Sequence, residues 1–190
     1  RMTIFNKNAC HNRAASTLAP LIIAFSLFLS ACSPSNEDTA NVSTPTAEPV
    51  STQAPSNDFP YAFEKVTDNV WVMHGPLELP NPQNKGFMNN PGVIETSAGL
   101  VVIDPGSTVK VGEHVLTEIK KISAQPIVAV FNTHIHGDHW LANQAIKAAY
   151  PNIKIYGHPE MLIEIEQGEG ENWVQTMETM TDGASKGTIV

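Results

Sequence analysis

Thiols are almost absent from this 190-residue chain, which has two cysteines, Cys10 and Cys32, both within its first 32 residues. The remainder therefore has no pair for a disulfide and no thiolate for a metal, so its fold must rest on its core or on a metal held by other donors. Positive charge is scarce too, with 11 Lys and Arg against 19 Asp and Glu and a formal net charge of −8. Every acidic residue follows Cys32, accompanied by only 8 of the basic ones. Such a surface repels phosphate backbones, whose binding depends on Lys and Arg, so a nucleic-acid partner is excluded. The apolar run Leu18 to Leu29, "LAPLIIAFSLFL", falls short of the roughly 20 residues that span a bilayer. No internal repeat is visible.

What is present at the N-terminus has the organisation of an export signal. Arg1, Lys7 and Arg13 precede the apolar run, and "SACS" follows it. Arg1 before Met2 points to Met2 as the start. "LSAC", Leu29 to Cys32, resembles the lipobox of bacterial lipoproteins. The resemblance implies that residues 1–31 are a signal peptide and that the Cys32 thiol carries diacylglycerol. The protein would then sit in the bacterial cell envelope, held to the membrane by lipid chains. Ser33 implies the periplasm-facing outer membrane in a Gram-negative host. The alternatives are a membrane-spanning N-terminal helix, or a plain signal in which Cys32 has no role. Residues 32–58 comprise that cysteine and a stretch rich in Ser, Thr, Pro and Ala whose only large aliphatic type is Val. It cannot bury enough apolar surface to offset its ordering entropy and is expected to be a disordered tether reaching roughly 28 Å.

Residues 59–190 have the composition of a globular domain of α/β class. "AFEKV" and "VWVMHG" flank "TDN" and predict a hairpin. A Pro- and Asn-rich loop follows. "GVIET" and "LVVID" flank "SAG" and predict a second hairpin, with Gly99 supplying a positive φ. "VGEHVLTEIKKI" places Val111, Val115, Ile119 and Ile122 on one helical face. "PIVAVF" reads as a strand covered on both faces. "WLANQAIKAAY" reads as a helix, "IKIYG" as a strand, "PEMLIEIEQ" and "ENWVQTMETM" as helices, and the final "GTIV" as the start of a strand. Hairpins thus come first and strand–helix units with parallel strands second. Ligand sites in such sheets lie beyond the C-terminal strand ends.

The stretch "NTHIHGDHW", Asn132 to Trp140, falls in that place. His134 and His136 alternate along extended chain and project to one side. Gly137 is expected to permit a sharp bend before Asp138 and His139. Imidazoles and a carboxylate suit zinc. Adjacent Asp138 and His139 are expected to diverge from the earlier pair, which points to two neighbouring ions, each needing ligands from elsewhere in the fold.

"HIHGDH" resembles the HxHxDH signature of the metallo-β-lactamase-fold hydrolases, and "VVIDPG" is similar to an earlier motif of that family. The resemblance spans about Phe63 to Val190. It implies an αββα sandwich, of which this chain holds the N-terminal half to two-thirds. It implies His134 and His136 on a first zinc, and Asp138 with His139 on a second. Asp138 would also orient the attacking water, and Asp104 would support the loop by hydrogen bonding. The reaction implied is hydrolysis of an ester, lactone, thioester or β-lactam bond in a small-molecule substrate by a zinc-activated hydroxide. The family also needs a third histidine for the first site, a bridging Asp, and a further histidine for the second. After His139 only His158 remains, too early and in the wrong context, and Asp182 lies in a loop. The missing ligands are expected beyond Val190. The alternative is therefore a truncated lipoprotein fragment without catalytic competence that at most binds metal. No protein partner is called for.

Elsewhere the plain readings are structural. His74 is a strand-end histidine, His114 a solvated helix residue, and Trp71, Trp140 and Trp173 packing residues. Glu160, Glu164, Glu166, Glu169 and Glu171 read as a solvated acidic face.

Overall fold

Turn chemistry and alternation build the first half of the domain in this computed structural model, which describes Thr3–Ile4 and residues 59–190. The signal peptide (apart from Thr3–Ile4), the lipidated Cys32 and the tether lie outside the described residues. The chain divides into two units, Arg1–Ala9 with Ser56–Val190, and Cys10–Pro55; only the first contains described residues. Strand β1 is Thr3–Ile4. Strands β2 (Phe63–Thr67) and β3 (Val70–Met73) form the first expected hairpin, with Phe63 opposite Met73. β4 (Gly92–Thr96) and β5 (Gly99–Ile103) form the second. Gly99 has a φ of 133°, and a Cβ there would lie 2.6 Å from the Pro126 carbonyl oxygen, so two constraints select glycine.

Strand–helix units follow. Helix α1 (Val109–Ile122) starts at Thr108, whose hydroxyl accepts a hydrogen bond from the Val111 N–H. It leads to β6 (Ile127–Phe131), parallel to β5. After the histidine loop, α2 (Gly137–Trp140) and α3 (Asn143–Ala149) lead to β7 (Lys154–Gly157), parallel to β6. The single helix expected from Trp140 onward is thus two, because the chain turns at Leu141–Ala142, where the Ala142 N–H donates to the Gly106 carbonyl at 2.9 Å. Helix α4 (Pro159–Glu164), a kinked segment (Ile165–Glu169) that breaks at Gly168, and α5 (Gly170–Met180) complete the elements. The seven strands lie in the order β1-β7-β6-β5-β4-β3-β2. Among the described residues no helix is long and apolar enough to cross a membrane.

The pleat sorts the sheet into two unlike faces. Trp71, Val93, Val102, Val130 and Ile155 pair in register across five strands and pack with Val111, Val115 and Ile119 of α1 into the main core. On the opposite face Val72, Ile94, Val101, Ile103, Phe131 and Tyr156 are half-buried and belong to neither buried cluster. β6 is therefore packed into the core through Ile127 and Val130 and not, as expected, on both sides. One sheet under one helical layer corresponds to an αβ half of the expected αββα sandwich. Val102→Ala should lower stability by about 2–3 kcal/mol, through lost burial and an unfilled cavity. Val101→Ala, one residue away but on the other face, should cost less than about 1 kcal/mol. Urea melts of the two variants test the contrast, and equal losses would contradict it.

Two further expectations are corrected. His114 is not solvated: it is buried, its Nε2 lies 2.7 Å from the Tyr61 carbonyl oxygen, and its ring packs against Phe59 at 5.2 Å. It lies three residues after Val111 and four before the buried Glu118, so helical periodicity carries it to the inner face despite charged neighbours. "GTIV" forms no strand. The Thr188 hydroxyl accepts from the Val109 N–H at 3.1 Å, and the Ile189 N–H donates to Gln144 Oε1 at 2.9 Å. Gln144 also donates to the Gly187 carbonyl, the Thr188 N–H donates to the Ser185 carbonyl, and Val190 packs in the second cluster, so these backbone groups need no strand edge.

Candidate metal centre

Beyond the C-terminal ends of β5 and β6, the Asp104 carboxylate organises the histidine loop. Asp104 has a φ of 48°, in the left-handed region that Asp tolerates better than most side chains. Its N–H donates to the Phe131 carbonyl at 3.0 Å, and its own carbonyl accepts from Asn89 Nδ2 at 2.8 Å. The buried carboxylate then faces the loop. Oδ1 accepts from the Thr133 N–H at 2.8 Å, while Oδ2 accepts from the Thr133 hydroxyl at 2.6 Å and lies 2.9 Å from His139 Nδ1. Since the Thr133 hydroxyl hydrogen goes to Asp104, its oxygen is left to accept from His134 Nδ1, 2.9 Å away. Both Nδ1 atoms are thereby tied, directly or through Thr133, to one carboxylate. Each ring keeps Nε2 for another partner.

The rings converge. His134 and His139 have centroids 4.1 Å apart, and His134 and His136 are 4.8 Å apart. Asp138 Oδ2 lies 3.2 Å from His139 Nε2. The expected divergence of Asp138 and His139 is therefore wrong: α2 begins at Gly137, and its first turn folds both side chains back over the loop. Gly137 also has no positive φ, so it does not make the bend. His136, with φ −62° and ψ 129°, is where extended chain gives way to helix. Glycine is required at 137 because a Cβ there would lie 2.7 Å from Trp173 Cβ. Gly137→Ala should accordingly lower the melting free energy by about 1–3 kcal/mol through overpacking, read by thermal unfolding. An unchanged melting temperature would contradict that contact.

His158 is not part of the cluster: its Nδ1 accepts from the Glu160 N–H and caps α4. Asp182 is exposed, with a φ of 51°. Asn132 and Thr133 belong to the "FNT" stretch before the motif, which is similar to the metallo-β-lactamase-fold family too but gives neither residue a role of its own. Asn132 exchanges side-chain hydrogen bonds with Asn143 at 2.8 and 3.4 Å, fastening the loop's entry to α3.

The sequence profile of the Metallo-beta-lactamase superfamily matches residues 84–183, more than half of the chain. The chain belongs to this superfamily. Members of the metallo-β-lactamase superfamily are hydrolases and typically bind metal ions. Hydroxyacylglutathione hydrolase of Gloeothece citriformis is 46% identical over 59 residues, which cover 31% of this chain and 21% of that protein. The linear primary-alkylsulfatase of a Pseudomonas species is 32% identical over 105 residues, 52% of this chain and 19% of its own length. The matched stretches thus span about a fifth of these relatives. A solved metallo-β-lactamase from Erythrobacter litoralis, 22% identical, superposes with a TM-score of 0.46 over 58% of this chain and 46% of that one.

The donor set of this metallo-β-lactamase-superfamily domain fits a metal ion. Ligand atoms of Asp104, His134 and His139 lie within 4.8 Å of one another, and carboxylate-anchored imidazoles are the arrangement that orients histidine toward zinc. Electrostatics agree. Burial, with the neighbouring charges of His139 and His136, pushes His134 below the usual histidine pKa and favours its neutral, ligating form. Burial also opposes a charged His139, but its hydrogen bonds to Asp104 and Asp138 outweigh this and push it up to about 9. Burial works against ionised Asp138, yet the hydrogen bond and charge of His139 hold it below the usual carboxylate range. A protonated His139 thus donates from Nδ1 to Asp104 and from Nε2 to Asp138.

Proposed function

We propose that the complete protein is a zinc-dependent hydrolase tethered in the bacterial cell envelope through a lipidated Cys32. The supporting observation is the Asp104–Thr133 network, which ties the Nδ1 atoms of His134 and His139, leaving His134 Nε2 for zinc and setting His139 Nε2 beside Asp138. His134 and His136 would hold one ion, and Asp138 with His139 would contribute to a second. Zinc would lower the pKa of water to about 7 and polarise the scissile group. Asp138, held ionised beside His139, can accept a hydrogen bond from an incoming water and orient it. Asp104 keeps His139 in one tautomer, and the burial of Asp138 limits bulk water around it. Ester, lactone, thioester and β-lactam bonds are the substrate classes, to which the two relatives add hydroxyacylglutathiones and alkyl sulfates as compounds to assay.

Zinc titration of the metal-free chain followed by calorimetry is the first test. Uptake should occur, and His134→Ala should weaken it at least tenfold; an unchanged affinity would refute the assignment. A substrate panel on the full-length protein, with and without chelator, tests hydrolysis. The second reading is a fragment that only binds metal, and it is favoured by the single late histidine, His158, serving as a helix cap. It expects zinc uptake by the 190-residue chain with no turnover. Incorporation of radiolabelled lipid precursor, abolished by Cys32→Ala, tests the anchor independently.

A further inference from the structure

His136 differs from its two neighbours in how its ring is held. His134 reaches Thr133, and His139 reaches both Asp104 and Asp138. Among the described residues His136 makes no side-chain hydrogen bond, and its exposed side chain meets two rings, His134 at 4.8 Å and Trp173 at 5.3 Å. Trp173 comes from α5, about 37 residues downstream in the chain, and its Cβ and Cγ press so closely on Gly137 that no side chain fits there. Its indole N–H is buried without an acceptor among the described residues. A buried unpartnered donor costs stability, so the indole is not retained here for a hydrogen bond. What it supplies is an aromatic wall.

We propose that Trp173 is a positioning residue for the metal loop: its ring, 5.3 Å from that of His136 and tilted 46° to it, sets the orientation of His136, the one histidine of the loop that no carboxylate network anchors. This rests on His136 being a zinc ligand, as proposed above. Trp140 does a complementary task from within the loop, its Nε1–H donating to the Ile135 carbonyl at 2.7 Å and fixing the backbone just before His136. Backbone and ring are thus restrained separately, by two tryptophans on different helices. The direction of α5, and hence the reach of Trp173, is set by the kink at Gly168, whose φ of 112° breaks the helix between α4 and α5.

The test compares Trp173→Phe and Trp173→Leu with the parent in the full chain, with and without His136→Ala. Phenylalanine keeps a ring face and removes the orphan N–H, so zinc affinity should stay within about twofold and the melting temperature should not fall. Leucine removes the face, and the zinc Kd should rise about tenfold, the scale of losing an outer support of a ligand. In the His136→Ala background the leucine variant should change the Kd less than twofold, because the residue it acts through is gone. An equal loss in both backgrounds would overturn the proposal, as would no loss in either. Carbon relaxation of the histidine rings in metal-free protein supplies a readout independent of zinc. Trp173→Leu should drop the order parameter of the His136 ring below about 0.6 and leave that of His139 unchanged. Equal loosening of all three rings, or none, would also overturn it. If the parent takes up no zinc, the hydrolase assignment fails, while the ring order parameters still decide the role of Trp173.

Discussion

Asp104→Ala is expected to destabilise the metal-free domain by about 3–5 kcal/mol, more than any other single change at the loop. Three losses combine. The Thr133 N–H, the Thr133 hydroxyl and His139 Nδ1 lose their shared acceptor, and hydrogen bonds to a charged group contribute about 1.5–3 kcal/mol each, though not additively. The backbone at φ 48° then has to be held by a residue without a locally bonding side chain, at a cost of about 1–2 kcal/mol. Asp104→Asn separates the two effects. Asparagine tolerates the left-handed backbone and preserves the shape, but turns one acceptor into a donor facing other donors. Its cost should be about 1–3 kcal/mol, read by urea unfolding. Both variants should weaken zinc binding by 10- to 100-fold, because His134 and His139 lose what orients them. Full stability in the alanine variant would show that the loop is held some other way.

The second large effect is on pH. His139 is raised from 6.5 to about 9 in the folded, metal-free state. A group whose folded pKa is raised contributes stability that is complete below its unfolded pKa and disappears as pH rises through the folded value. The contribution, on the order of 2 kcal/mol for this partly buried ring, should therefore be present below pH 6.5 and lost as pH passes about 9. Asp138 acts in the opposite sense: its depressed pKa adds stability above the ordinary carboxylate range, and this is lost as pH falls. Melting temperatures of chelator-treated protein should thus peak on the mildly acidic side and decline through about pH 9. Zinc affinity should run the other way, because the ion must displace the proton on His139. It should rise up to tenfold per pH unit until about 9 and then level off. Calorimetry at pH 7 in buffers of different ionisation heat should show about one proton released per bound ion. A flat pH dependence would mean that His139 is already neutral.

Chemistry in this protein is local, and local chemistry was legible. Three imidazoles and a carboxylate within six residues announce a metal loop wherever the chain places them, and "VVIDPG" marked Asp104 as its support before any geometry was known. Turn residues announced the two hairpins: Asp68 and Asn69 make the first turn, and Gly99 holds a φ of 133° that few other residues accept. What could not be read were the contacts that need a partner distant in sequence. Gly137 looked like a bend and is instead a clearance for Trp173, which arrives from α5. His114 looked solvated beside Lys110 and Glu113, yet the inner face of α1 meets Phe59 and Tyr61 from well upstream. "GTIV" had the composition of a strand, but its backbone bonds the Gln144 side chain on α3 and its Thr188 hydroxyl accepts from the first N–H of α1. Asp138 and His139 were expected to diverge from His134 and His136, yet the first turn of α2 brings the His139 ring to 4.1 Å from His134.

By itself, then, the sequence determined the α/β class and the position of the histidine loop at a strand end. Periodicity, turn chemistry and ligand type are all set by residues within a few positions of each other. The tertiary structure alone decided which nitrogens of His134 and His139 are tied to the Asp104 network, why glycine stands at 137, and which rings meet His136. Those outcomes depend on atoms brought within about 3–5 Å by folding, and no local rule encodes that approach.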